Sequence, residues 1–242
     1  MAPRATPPRS AGRAARVEEA RERLLRAAVA LFGDRGYAAT SVGEICAHAG
    51  VARTALYWHF GNKEGLLAAV LERVGGSWIE EIQKAVYAAP GPLERLERLT
   101  RAWREIVLTR PALVRLPMSA ALEQAEASPQ VRAALARVMG RARAALVEGI
   151  EDSLGFSLEG LDLVAHTMLT LLQGAAIRLL VDPESTDLEA LFAEFRRTVL
   201  LAVEDRMTPE QRSEFARRVG SEPRPARPPG AQAPVGTSKR SV

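Results

Sequence analysis

Apolar residues recur at three- and four-residue spacing along almost the whole chain, and no sustained alternating β-branched run interrupts them, so the pattern predicts an all-α protein. A first helix carries Leu24, Leu25, Ala28, Leu31 and Phe32 on one face, with Glu18, Glu19 and Arg23 among its polar positions, and ends between Gly33 and Gly36. Two short helices follow, one with Val42, Ile45 and Ala49 turned inward, the next anchored by Leu56 and Phe60. Longer segments run over residues 63–88 and 93–109, broken by Pro90-Gly91-Pro92, and Pro111 and Pro117 shape a further piece to about Ala127. Ser128, with Pro129 at the first helical position, opens a long helix to Asp152 whose inner face is Val131, Leu135, Val138, Ala142, Leu146 and Ile150. An apolar helix then extends from Ser157 to Val181, where Asp182-Pro183 ends it. Asp187 opens the last main helix, through Leu188, Leu191, Phe192, Phe195, Val199 and Val203, and a short polar helix follows Pro209.

Charge changes this picture at the two ends. The formal net charge of +4 over 242 residues is uneven: residues 1–16 hold Arg4, Arg9, Arg13 and Arg16 and no acid, and residues 221–242 are also net basic, so the body between them is net acidic. Any affinity for a polyanion must come from local placement of cations and from the tails. Residues 1–16 read as a disordered basic arm, and with no apolar stretch after the arginines no secretory signal is expected. From Ser221 onward the Pro, Arg, Ala and Gly composition cannot build a core. The single cysteine, Cys46, excludes an internal disulfide and a cysteine-based zinc cluster, which suits a cytoplasmic location. Asp162, His166, Gln173 and Arg178 interrupt the apolar helix and speak for burial in protein and against a membrane span.

The segment from Thr40 to Phe60 holds the most specific local chemistry. Ser41 followed three residues later by Glu44 is a capping box that fixes a helix start. Gly50 stands where the chain must turn sharply, and Val51 fills the space between the two short helices. With Leu56 and Phe60 inward, the opposite surface shows Arg53, Thr54, Ala55, Tyr57, Trp58 and His59: donors and aromatics with small residues at the leading end. That is the composition of a helix entering a major groove N-terminus first.

Gly36-Tyr37, Thr40-Ser41-Val42, Ile45-Cys46, Ala49-Gly50-Val51, Leu56-Tyr57, His59-Phe60, Lys63-Glu64 and Leu66-Leu67, at their spacing here, closely resemble the DNA-binding domain of the tetracycline-repressor (TetR) family. The resemblance implies a transcription regulator, with a helix-turn-helix three-helix domain over residues 17–65 and a helical ligand-binding and dimerisation domain over 66–206. Residues 207–242 would form a short polar helix and a disordered tail. It also implies that Thr40, Tyr57, His59 and Lys63 touch phosphates and that Arg53, Thr54, Ala55 and Trp58 lie nearest the bases, with Ser41 also among the DNA-binding residues. Two departures stand out: Ala52, where the family often has a capping Ser or Thr, and Gly43, where a longer polar residue is common. Trp58 has two readings, stacking along a sugar or thymine methyl, or packing on the first helix.

The implied partners are a double-stranded DNA operator, a second copy of the chain and a small-molecule effector; no cofactor, metal or membrane is implied. In the family the last two main helices pair across a dimer, which here would use Leu161, Met168, Leu172 and Ala176 with Leu188, Phe192, Phe195 and Val199. The rival arrangement keeps both helices as the core of one subunit. Aromatic, soft or polar groups on apolar helices, Trp78, Trp103, Met118, Glu123, Phe156, His166 and Gln173, are the candidate lining of an effector pocket. His48, His59 and His166 share no helix at ligand spacing, and neither a nucleophile elbow nor a glycine-rich phosphate loop is present, so the sequence speaks against a metal site and an enzyme.

Overall fold

The computed structural model describes residues 9–220, which form ten helices and no strand: α1 (Arg9–Arg35), α2 (Val42–Ala49), α3 (Arg53–Phe60), α4 (Lys63–Tyr87), α5 (Pro92–Thr109), α6 (Ala112–Glu123), α7 (Pro129–Leu154), α8 (Leu161–Val181), α9 (Leu188–Glu204) and α10 (Pro209–Gly220). Where chain chemistry sets a boundary, the cap is visible. Asn62, Ser128 and Asp187 each accept a backbone amide at the start of α4, α7 and α9, and Gly36, Gly50 and Gly155 end α1, α2 and α7 at positive φ.

Three expectations change. Helix α1 already begins at Arg9, so residues 9–16 are helical where an unstructured arm was expected; residues 1–8 and 221–242 lie outside the described residues. The apolar helix starts at Leu161 and not at Ser157, because Gly160 takes a left-handed conformation (φ 77°) that L side chains rarely adopt and sets the turn before α8. The anticipated boundary between residues 65 and 66 falls inside α4, which runs unbroken from the short helices into the rest of the protein, a span of about 37 Å at 1.5 Å per residue.

Two apolar cores form around that helix. The first gathers Leu24, Leu25, Ala28 and Phe32 of α1, Ile45 of α2, Leu56 of α3 and Leu66, Leu67, Val70 and Leu71 of α4, and it also takes in Leu116 and Ala120 of α6 and Val131 of α7. The three N-terminal helices therefore do not close their own core. The second holds Leu96, Leu99 and Trp103 of α5, Leu154 of α7, most of the inner face of α8, Phe192, Phe195, Val199 and Val203 of α9, and Phe215 of α10. Although α8 has the length and hydropathy of a membrane-crossing helix, Val164, Ala165, Met168, Leu172, Ala176 and Leu179 bury one of its faces inside this core.

Helices α4 and α7 approach each other closely at Gly75. A Cβ built there would lie 2.4 Å from Val138 Cγ1, so the absence of a side chain sets how near the two helices come. One turn before, Glu72 accepts from Arg137 (2.8 and 2.5 Å) and offers its carbonyl to Arg141 (3.1 Å). We predict that Gly75→Ala lowers the unfolding free energy by up to about 2 kcal/mol: overpacking costs about 1–3 kcal/mol, less the roughly 1 kcal/mol that Ala gains over Gly inside a helix. Combined with Val138→Ala, the loss in denaturant titration should be smaller than the sum of the single losses; strictly additive losses would contradict the contact.

Candidate nucleic-acid interface and internal cavity

Ser41 caps α2 as its spacing predicts: its Oγ accepts the Glu44 amide (3.2 Å), and the Glu44 carboxylate accepts the Ser41 amide (2.8 Å). These bonds hold the Glu44 carboxyl below the usual carboxylate range. Gly50 turns the chain with φ 60°, and Arg23 of α1 donates to its carbonyl at 3.2 Å, fixing the turn against the first helix. Helix α3 starts at Ala52 with no side-chain cap, as that residue type requires.

Leu56 is fully buried, and the opposite face of α3 stands clear of the protein. Arg53, Thr54, Tyr57 and Trp58 are exposed, with Ala55 and His59 partly so. At 72% exposure Trp58 does not pack on α1; its ring meets His59 edge-on at 4.6 Å. The Arg53 side chain lies across Gly43 of α2, where a Cβ would sit 2.5 Å from Nη2. Gly43 thus gives the guanidinium room to lie flat at the leading end of α3, which accounts for the missing long side chain at that position.

Two residues taken as phosphate ligands do something else in this structure. Thr40 is 2% exposed, and its hydroxyl donates to Gly36 O (2.8 Å), with Leu31 O at 3.4 Å, so it ties the end of α1 to the start of α2 and turns no donor to solvent. Lys63 is half-buried. Its Nζ donates to Tyr37 O (2.7 Å) and sits 4.1 Å from the Tyr37 ring centroid, while Tyr37 Oη donates to Glu64 (3.1 Å). Burial lowers the Lys63 pKa, partly offset by Glu64 and Glu44; burial and Glu64 raise that of Tyr37 well above the ordinary phenol range. One of three ammonium donors is engaged, which leaves the others for an anion approaching α4.

At the far end of α4 a cavity of about 120 Å³ opens between α4, α5, α7, α8 and α9, closed in part by Phe215 of α10. Trp78 and Trp103 line it. The other five candidates do not: Met118 and Glu123 are on α6, Phe156 packs against the second core from the turn after α7, His166 faces outward, and Gln173 donates to Met139 Sδ on the outer side of α8. Polarity on an apolar helix marked them in sequence, but on α8 the polar positions are the ones turned away from the core. The polar groups at the cavity are instead Gln83, Tyr87, Arg95 and Ser153. Only the four-residue spacing of Gln83 and Tyr87, on one face of α4, could have pointed to part of that set.

The residues expected at a dimer interface lie mostly inside the chain. Leu161, Met168, Leu172, Ala176, Phe192, Phe195 and Val199 are buried within the chain, and Leu188 packs against them. What α8 and α9 leave uncovered is another stripe: Leu163, Leu171, Ile177, Leu180 and Val181, with Leu191 and Leu201. A helix apolar on all sides says that two faces are covered, not which face meets which partner.

Residues 24–70 match the profile of the family described as bacterial regulatory proteins, tetR family. Over 91 residues the chain is 32% identical to the HTH-type transcriptional regulator HbdR of Aromatoleum sp. (strain CIB), an alignment that takes in 38% of this chain and 40% of that protein. Over 55 residues it is 44% identical to the HTH-type transcriptional regulator AcrR of Shigella flexneri, covering 23% of this chain and 26% of that protein. The chain therefore spans less than half the length of these two relatives. A solved tetR-family transcriptional regulator from Streptomyces coelicolor superimposes with a TM-score of 0.64 over 85% of this chain and 90% of its own, at 23% identity, a likeness of fold.

Because Thr40 bonds inward, Thr40→Val should lower stability by about 1 kcal/mol, the ordinary net worth of a buried hydrogen bond, and leave DNA affinity unchanged in the folded protein. Weaker DNA binding with no loss of stability would place the hydroxyl on a phosphate.

Proposed function

We propose that the chain, whose residues 24–70 match the tetR-family profile, is a sequence-specific DNA-binding transcriptional regulator, a repressor released from its operator by a small-molecule ligand. The observation that carries this reading is the exposed face of α3, where Arg53, Thr54, Tyr57 and Trp58 project together from a helix anchored by Leu56. A buried anchor opposite a donor-rich, aromatic face supports insertion into a major groove. Arg53, Thr54, Ala55 and Trp58 then meet base edges, and Ser41, Tyr57, His59 and the free donors of Lys63 hold the flanking phosphates. A DNA target of this kind fits a cytoplasmic protein.

One α3 reads one half-site, so the proposal includes a homodimer. Its support is the uncovered stripe on α8 and α9. Leu163, Thr167 and Leu171 face Thr198 and Ala202 across a shallow groove that would accept the same helices of a second copy. Leu171→Arg should shift the protein from dimer to monomer in analytical ultracentrifugation and weaken binding to a two-half-site duplex far more than to a single half-site. A dimer that persists would move the interface elsewhere.

Ligand control rests on α4, whose N-terminal half belongs to the first core and whose C-terminal half walls the cavity. A ligand acts only through its differential affinity for the two arrangements of the dimer, so it binds free protein more tightly than operator-bound protein.

The direct test of the regulator reading is selection of bound duplexes from a random library, followed by footprinting. The expected product is a pseudo-palindrome with two protected half-sites. Arg53→Ala should relax preference at particular base pairs, by about 1–3 kcal/mol of discrimination, whereas Tyr57→Phe should weaken binding to all sequences alike. Recovery of duplexes with no shared sequence would overturn the reading.

A further inference from the structure

Part of the wall of the internal cavity comes from α10, a helix seated on the protein by a single ring. Of the twelve residues of α10, Phe215 is the one that is buried, and its side chain lines the cavity together with Leu154 of α7 and Leu200 and Val203 of α9. Val219 packs partly against the same core, while Glu210, Arg212, Ser213, Ala216 and Arg217 face solvent.

The helix also makes its own start. Thr208 and Gln211 form a capping box, in which the Gln211 amide donates to Thr208 Oγ1 (3.3 Å) and the Thr208 amide to Gln211 Oε1 (2.9 Å). Its carboxylate pairs are internal, Glu214 accepting from Arg217 and Arg218. The polar ties to other elements lie at the surface: Arg212 Nε donates to Glu204 O (3.0 Å), and the Arg218 guanidinium lies across Gly155. Just before α10, Met207 is buried in the second core. The chain is thus fixed at the base of the helix, and the helix beyond it is held down chiefly by Phe215.

Size gives that ring a consequence. With Phe215 seated, the cavity measures about 120 Å³, close to the roughly 150 Å³ of an apolar cavity that binds benzene. A phenyl side chain is itself benzene-sized, so withdrawing Phe215 roughly doubles the space and leaves the walls from α4, α5, α7 and α8 complete. Those walls are almost wholly apolar, built from residues such as Ile82, Val86, Leu146 and Met168.

We propose that α10 is a stopper for the cavity and that Phe215 sets the size limit of its ligand: the closed protein takes a single-ring apolar compound, and a two-ring apolar compound binds by displacing Phe215 and releasing α10. The inference rests on the cavity being the ligand site proposed above. Affinity for a ligand that needs α10 released is reduced by the fraction of molecules in which it is released. Whatever loosens α10 therefore strengthens binding of the larger ligand and leaves the smaller one alone.

Toluene and biphenyl, both neutral and differing by one ring, test this on the free, full-length protein without DNA, with affinities read by ligand-detected NMR titration and the state of α10 by amide hydrogen exchange. Toluene should bind with the protection of α10 unchanged, whereas saturating biphenyl should make the amides of residues 211–219 exchange faster. Phe215→Ala should tighten biphenyl binding by about tenfold, the low end of what burying a phenylalanine is worth. Thr208→Ala, which removes the cap and touches no part of the cavity wall, should tighten biphenyl binding by about fivefold, the usual worth of a helix cap, and leave toluene affinity as it was. Should Phe215→Ala fail to fold, Thr208→Ala decides alone. Biphenyl binding with α10 still protected, biphenyl affinity unchanged by Thr208→Ala, an equal gain for toluene in that variant, or saturable binding of neither probe would each overturn the proposal. A protein that releases α10 to biphenyl but selects no duplex would fail the regulator reading alone; one that selects a duplex but keeps α10 docked would fail this inference alone.

Discussion

The close packing of α4 on α7 at Gly75 and Val138 holds the molecule together as one device. Helices α1, α2 and α3 present the candidate reading surface, yet their core stays open until α4, α6 and α7 cover it with Leu66, Leu116, Ala120 and Val131. The same α4 continues past Gly75 to Trp78 and Tyr87 at the cavity. One unbroken helix thus joins the α1–α3 face to the cavity. In the regulator proposed above, a displacement of the C-terminal half of α4 would pass along the helix as a rigid rotation or shift, because a close-packed contact offers discrete arrangements and little gradual yielding.

Around that axis, the interface is built from local economies of shape. Ser41 and Glu44 fix where α2 begins, Gly50 and Arg23 fix the turn, and Gly43 gives Arg53 a flat bed across α2. Thr40 and Lys63 are drawn inward to hold the Tyr37 turn, so the surface offered to a polyanion is narrower than the motif suggests, centred on Arg53, Tyr57, Trp58 and the remaining donors of Lys63. Salt bridges such as Arg73–Glu22 and Arg110–Glu81 lie at the surface, where each contributes little, so the apolar cores and the Gly75 contact hold the helices in place.

Legibility in the sequence followed the range of the interaction. The capping box at Ser41, the turn at Gly50, the uncapped start at Ala52 and the boundaries at Pro92 and Pro129 depend on neighbours within four residues, and all appear where the pattern placed them. Side-chain roles set by distant partners did not. The resemblance put Lys63 on a phosphate, whereas its partner in the folded chain, Tyr37 O, stands 26 residues before it. On α8, apolar nearly all round, the spacing could not say that Met168 and Leu172 face inward while Leu163 and Leu171 face outward, and its polar residues His166 and Gln173 proved to mark the outside. The cavity's polar set escaped for the same reason: Arg95 and Ser153 come from two helices far apart in sequence and meet only in the folded chain.

The central claim is that cavity and reading helix are coupled through α4. It is tested most directly by measuring the affinity of a cavity ligand for the protein free and saturated with its selected duplex. Linkage requires the duplex to weaken ligand binding by the same factor by which the ligand weakens duplex binding, and couplings of this kind fall at about 5- to 150-fold. Equal ligand affinities with and without duplex would contradict the account.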